Sequence, residues 1–192
     1  MATVTTDMVK ALRARTGVGV MDCRRALEEA KGDLDAAAEL LKAKGLAAAA
    51  KRAGRAAIEG VVEAYIHPGN RLGALVELNC ETDFVARTDE FKTLARELAM
   101  QVAATAPRYL SKDEVPAGDL AARRDEIVQE TPRAADAEVE RQLNLWYAEV
   151  ALLEQPYIRD AGRRIGEMIT DTIARTGENI RIRRFARFRL GE

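Results

Sequence analysis

The sequence predicts an α+β fold, with a small helical unit at the N-terminus and then a core in which a sheet packs with helices. Three observations predict it. Glycines punctuate helical patterns up to residue 45, the hydrophobic period changes from helical to two at Ile58, and the C-terminal stretch Ile180 to Leu190 returns to that period.

Residues 1–45 read as three short helices. Thr6 caps the first, which runs to about Arg15 and is broken by Gly17 and Gly19. A second, around Met21 to Ala30, stops at Gly32, and Asp33 caps a third that ends at Gly45. Met8, Leu12, Ala26, Leu27, Leu34, Ala37 and Leu41 supply a core. A unit of this size is marginal alone and is expected to lean on something else. The alanine-rich run 46–57, with Lys51, Arg52 and Arg55, reads as a linker helix, leaving 58–192 as the core domain.

Val61, Glu63, Tyr65 and His67 alternate with Val62, Ala64 and Ile66, and a second β-prone run, Leu72 to Leu78, follows the turn residues Pro68-Gly69-Asn70. Together they make a hairpin. Next comes Asn79-Cys80-Glu81-Thr82-Asp83-Phe84-Val85-Ala86-Arg87, at a strand-to-helix junction where a rigid scaffold can present side chains. The helix beyond it has Thr88 as cap, Asp89 and Glu90 complementing the dipole, and Phe91, Leu94, Ala95, Leu98, Ala99 and Val102 on one face. Pro107 ends it.

Residues 107–133, with Pro107, Pro116 and Pro132, read as the loosest part, holding a local Ser111-to-Glu114 capping box. From about Ala134 to Glu154, Val139, Leu143, Trp146, Val150 and Leu153 fall at spacings of four, three, four and three. That is a coiled-coil-like seam for a helix of the same or a second chain. After Gln155-Pro156, a helix carrying Ile165, Met168, Ile169, Thr172 and Ile173 stops at Gly177. The last strand places Ile180, Ile182, Ala186, Phe188 and Leu190 on one face and Arg181, Arg183, Phe185, Arg187 and Arg189 on the other.

With 30 basic against 31 acidic side chains among 192 residues, the net charge of −1 excludes the broad positive field of a general nucleic-acid binder. No apolar run approaches the roughly 20 residues of a membrane span, and the N-terminus lacks the apolar core of a secretory signal, so a cytoplasmic protein is expected. Cys23 and Cys80 have neither metal-site spacing nor a disulfide framework and read as buried small apolar residues in a reducing compartment.

Chemistry is sparse. A Cys80–His67 nucleophile pair competes with an ordinary turn histidine. Gly17-Val18-Gly19 follows a helix instead of a strand, with Asp22 at the third glycine position of a dinucleotide fingerprint, and there is no Walker-type loop. The chain is therefore not expected to be an enzyme, and no cofactor or metal is implied. Arg181 to Arg189 reads either as a solvated strand face or as an RNA-binding strand with Phe185 and Phe188 interleaved. Phe84, seven residues before Phe91, joins the core stripe if the helix is continuous from Thr82, and projects only if the helix breaks near Thr88. The pattern leaves both open.

Thr82-Asp83-Phe84-Val85, in the context ELNCETDFVAR, closely resembles the motif of elongation factor Ts, the bacterial nucleotide-exchange factor for elongation factor Tu. Residues 9–41, 152–160 and 177–192 resemble that family's N-terminal domain and core, so the likeness covers nearly the whole chain. It implies an N-terminal three-helix domain of the ubiquitin-associated type and a core of antiparallel sheet packed with helices. This chain resembles a short form with one core lobe, and short members are expected to pair as homodimers. Val20 stands where a methionine is common beside Met21, and Asp160-Ala161-Gly162 replaces a proline-containing continuation.

The resemblance implies that Asp83 and Phe84 insert between helices of the GTPase domain of elongation factor Tu, displacing segments that hold Mg²⁺ and the nucleotide phosphates. Thr82 would cap the turn, and Val85 would anchor it. It also implies that Arg13, Val20 and Met21 touch another part of the same GTPase domain. No strong nucleic-acid binding and no membrane association are expected.

Overall fold

A threonine opens the first helix because its hydroxyl accepts one of the backbone N–H groups that a helix start leaves without a partner. In the computed structural model, which describes residues 4–132 and 135–192, that residue is Thr5, not Thr6: Met8 N–H donates to its Oγ1, and α1 runs Thr6–Thr16. Gly17, at φ 69°, ends it in the left-handed conformation that glycine adopts without strain. Helix α2 spans Val20–Glu29, and Asp33 caps α3 by accepting from Asp35 N and Ala36 N.

The expected stop at Gly45 does not occur, and α3 continues through it to Arg52. Gly45 is buried, and a Cβ there would sit 3.5 Å from the Ala174 methyl. The helix tolerates a glycine where a neighbouring segment lies close. The three-helix core comprises Val9, Leu12, Cys23, Ala26, Leu27, Ala37 and Leu41, while Met8 and Leu34, expected inside, are only partly buried at its edge.

The hairpin follows, with β1 at Glu59–Ile66 and β2 at Leu72–Cys80. His67 N–H donates to the Leu72 carbonyl across the turn. A one-turn helix α4, Asp83–Ala86, precedes α5, Asp89–Thr105, whose predicted apolar face is buried throughout. Ala106 terminates α5 in the left-handed region at φ 50°.

Residues 107–133 are more ordered than their prolines suggest. A 3₁₀ turn at Lys112–Glu114 is followed by α6, Ala117–Glu130, with Pro116 at its N-cap, where a missing N–H costs nothing. Helix α7 runs Asp136–Val150, and the expected start at Ala134 lies outside the described residues. Its seam residues Val139, Leu143, Trp146 and Val150 pack with Ile127 of α6, edged by Tyr109, Val115, Leu120 and Tyr147, whereas Leu153, expected on the same helix, lies beyond its end in a 3₁₀ turn at Leu152–Glu154.

A small ribbon not foreseen, β3 (Pro156–Tyr157) with β4 (Asp160–Arg164), leads into α8, Ile165–Thr176, and then β5, Arg181–Arg189. The main sheet is antiparallel, with order β1-β2-β5. Phe188 and Leu190, assigned to the same face as Ile180 and Ile182, are 67% and 64% exposed, whereas the two isoleucines are buried.

Two compact units share the chain. One takes the residues up to Gly60 with Asn79–Arg87 and Ile169–Arg181; the other takes Val61–Leu78, Thr88–Met168 and Ile182–Glu192. Within the second, buried Gln101 and Gln155 link α5 to the ribbon. Gln101 Nε2 donates to Gln155 Oε1 and to the Pro156 carbonyl, each at 3.1 Å, and Gln101 Oε1 accepts from Ile158 N–H at 2.9 Å. Buried amides are stable only when satisfied in this way.

Candidate functional site

The stretch 79–87 belongs to the first unit, with α1, α2, α3 and the end of α8. Backbone geometry explains its shape. Thr82 is extended (φ −126°, ψ 152°), so the strand direction persists one residue past Glu81 before the chain coils. Its Oγ1 then accepts Val85 N–H at 3.4 Å, starting α4, which closes after a single turn as Arg87 N–H is shared between the Asp83 and Phe84 carbonyls. Thr88 returns to extended geometry (ψ 146°) and caps α5 by accepting Phe91 N–H at 3.3 Å. Two caps in quick succession break the helical phase between residues 84 and 91. Phe91 is fully buried and Phe84 is 76% exposed.

The neighbours of Phe84 divide by direction. Val85 and Ala86 face inward, each 6% exposed, and hold α4 to the unit. Asp83 faces out and pairs with Arg87 at 2.7 Å. Both groups are well solvated, so this pair adds little stability and leaves the carboxylate accessible to another donor.

The turn is held from a distance by Glu178 and Asn179, two residues to which the sequence pattern assigned no role. Glu178 Oε2 accepts the N–H groups of Glu81 at 3.0 Å and Thr82 at 3.1 Å, and Glu178 Oε1 accepts the Thr82 hydroxyl at 2.6 Å. Asn179 N–H donates to Glu81 Oε1 at 2.6 Å, and the Asn179 amide donates to the Arg55 carbonyl at 2.8 Å and the Ala53 carbonyl at 3.4 Å. The local signal for this pair is slight. Two polar residues lie between a helix-stopping glycine and an apolar strand, and pattern gives them no partner.

Cys80 is buried, with its Sγ donating to the Thr82 carbonyl at 3.1 Å. Burial first, and the nearby Glu178 carboxylate second, push its thiol from the ordinary 9.0 up to about 11. A group held so firmly protonated is not a nucleophile. The conceivable partner, His67, instead flanks the hairpin turn and bonds to the Tyr65 hydroxyl at 2.9 Å.

Arg13, Val20 and Met21 lie at the corner where α1 gives way to α2. Arg13 is exposed in the last turn of α1, and Val20 and Met21 open α2 at 49% and 65% exposure. Met21 is turned out because Cys23, two positions on, takes the buried face. The site residues read from sequence therefore form two groups in one unit, one at the α1–α2 corner and one at the β2–α5 junction.

The arginine-rich strand is engaged with its own chain. Arg183 and Arg184 both pair with Glu77, at 3.5 and 2.7 Å, Arg187 and Arg189 with Glu192, at 2.7 and 3.4 Å, and Arg187 also donates to the Ala103 carbonyl at 3.0 Å. Among the described residues, no cluster of three or more His, Cys, Asp or Glu is placed to hold a metal ion, and no helix is long and apolar enough to cross a membrane.

A family model described as "Elongation factor TS" matches residues 36–192. The chain is similar to elongation factor Ts of Carboxydothermus hydrogenoformans, 54% identical with 98% of this chain and 90% of the relative covered. It is similar to that of Thermoanaerobacter sp., 50% identical with 98% and 96% covered, and to that of Finegoldia magna, 46% identical with 100% and 92% covered. By these matches the chain belongs to the elongation factor Ts family, a family of translation elongation factors.

Proposed function

We infer that the protein is a guanine-nucleotide exchange factor that binds elongation factor Tu·GDP at its GTPase domain and promotes GDP release by disturbing the Mg²⁺ and phosphate site. The observation that carries this reading is Phe84. A large ring left 76% exposed, on a one-turn helix whose next residue is 6% exposed, is a poor use of a phenylalanine unless a partner buries it. Asp83 beside it presents a solvated carboxylate for donors in the displaced segment.

The mechanism is linkage. If the factor and GDP favour incompatible arrangements of one pocket, each weakens the other's binding by the same coupling free energy, typically about 1–3 kcal/mol. No bond is made or broken, so the protein acts without being an enzyme in the chemical sense, and it needs no cofactor. Arg13, Val20 and Met21 supply a second contact that adds affinity, while the wedge of Asp83 and Phe84 supplies displacement. The place of action is the cytoplasm, where translation occurs.

Two chains pair through the open face of the sheet. Ile66, Leu75, Phe188 and Leu190 border a groove of about 470 Å³, and Val62 is exposed beyond it. The seam of α7 does not serve, because α6 of the same chain covers it.

The deciding experiment measures release of labelled GDP from elongation factor Tu with and without the protein. Acceleration at substoichiometric amounts supports exchange. Binding without acceleration would make the chain an interaction scaffold, and strong, salt-steep RNA binding without acceleration would make it an RNA- or ribosome-binding module.

A further inference from the structure

We propose that Glu178 is a positioning residue for the Thr82–Val85 turn, acting through Thr82 and not by touching the partner. This rests on the exchange reading above. Glu178 follows Gly177 (φ 75°), beyond the end of α8, and one carboxylate collects three donors from the segment opposite: two backbone N–H groups on Oε2 and the Thr82 hydroxyl on Oε1. An ionised carboxylate suits this role because it only accepts and has about four lone-pair sites. Bonds to it are shorter and stronger than neutral ones.

The third bond also sets the cap. With its proton committed to Glu178, Thr82 Oγ1 has only lone pairs to offer, and these accept Val85 N–H to begin the turn that carries Phe84. Asn179 braces the same entry from the other side, since its N–H binds Glu81 Oε1 and its amide is anchored on the Ala53 and Arg55 carbonyls.

The turn needs this support. Helix α4 has four residues, too few to persist unaided, and the solvated Asp83–Arg87 pair contributes little. An unsupported turn would have to be ordered at the moment of binding, at the expense of affinity. Loss of Glu178 should therefore raise the concentration of factor needed for half-maximal stimulation and leave the maximal rate nearly intact.

The test uses the full chain as wild type, Glu178→Ala, Glu178→Gln, Phe84→Ala and the Glu178→Ala/Phe84→Ala double variant. Each is titrated against elongation factor Tu loaded with labelled GDP, and backbone amide exchange is followed at residues 81–85. Glu178→Ala is expected to raise the half-saturating concentration about tenfold, change the maximal rate less than twofold, and speed amide exchange at Glu81, Thr82 and Val85. In the Phe84→Ala background it should add less than about twofold, because the two act as a unit. Glu178→Gln keeps one oxygen for the backbone donors and should recover part of the loss; it also carries the comparison if the alanine variant does not fold.

Unchanged amide exchange, wild-type half-saturation in both Glu178 variants, or effects that multiply in the double variant would each overturn the assignment. If Phe84→Ala alone stimulates release like wild type, the wedge reading fails first and takes this proposal with it, an outcome visible without any Glu178 variant.

Discussion

Phe84→Ala removes a ring that is 76% exposed in the free chain, so the fold should scarcely register its loss. A phenylalanine buries on the order of 200 Å² when fully covered, and about three-quarters of that remains for a partner here. Alanine would recover about a third of it, leaving about 100 Å² of apolar contact missing from the complex. At ~25 cal/mol per Å² this is about 2.5 kcal/mol, or on the order of 60-fold in stimulated GDP release. The assay is fluorescence-detected release of labelled GDP, paired with thermal denaturation of each variant. Phe91→Ala is the control. Its ring is fully buried seven residues away, and its removal should cost about 3–5 kcal/mol of stability. Release within twofold of wild type for Phe84→Ala, or a fall in its melting temperature matching that of Phe91→Ala, would refute the reasoning.

Gly45→Ala should stabilise the protein by up to about 1 kcal/mol, because α3 gains helix propensity and the new methyl would meet Ala174 at an ordinary 3.5 Å; thermal denaturation reads this as a rise of roughly 2–4 °C. Stability should also fall as pH rises from 9 to about 11, since the unfolded Cys80 thiol ionises first while the folded one keeps its proton to about 11. Denaturant titrations at pH 8 and pH 10.5 should show a larger loss for wild type than for Cys80→Ala. Phe188→Glu, on the exposed sheet face, should weaken self-association at least about tenfold with an unchanged circular dichroism spectrum. Sedimentation checks this, and a wild-type chain that stays monomeric at high concentration removes the pairing proposal.

Local chemistry made much of the fold legible. Asp33 and Thr88 announce their helices because a cap is a short-range hydrogen bond, and the stripe from Phe91 to Val102 is buried because one helical face suffices to form it. Helix α6 was hidden because Ile127 is its only buried residue, which gives no stripe to detect, and because Pro116 looks like a breaker when it is a cap. The ribbon of β3 and β4 is short and largely exposed, so no alternation marks it. The stretch around Phe84 could be located but its placement not resolved, since the same seven-residue spacing to Phe91 fits a continuous helix and a broken one. Glu178 was beyond reach for a different reason, that a carboxylate which satisfies backbone N–H groups leaves no periodic trace.

The hold of Glu178 on Glu81 and Thr82 spans 97 and 96 positions of the chain, and this dictates an order of events during synthesis. When residue 84 leaves the ribosome, its motif is complete in sequence, yet the carboxylate that sets the turn has not been made. Closing so long a loop waits on α8 and the approach to β5, which lie far downstream of the turn. A chain truncated before residue 178 would display Phe84 without a fixed posture. The posture of Phe84 is thereby tied to the synthesis of a segment nearly a hundred residues downstream.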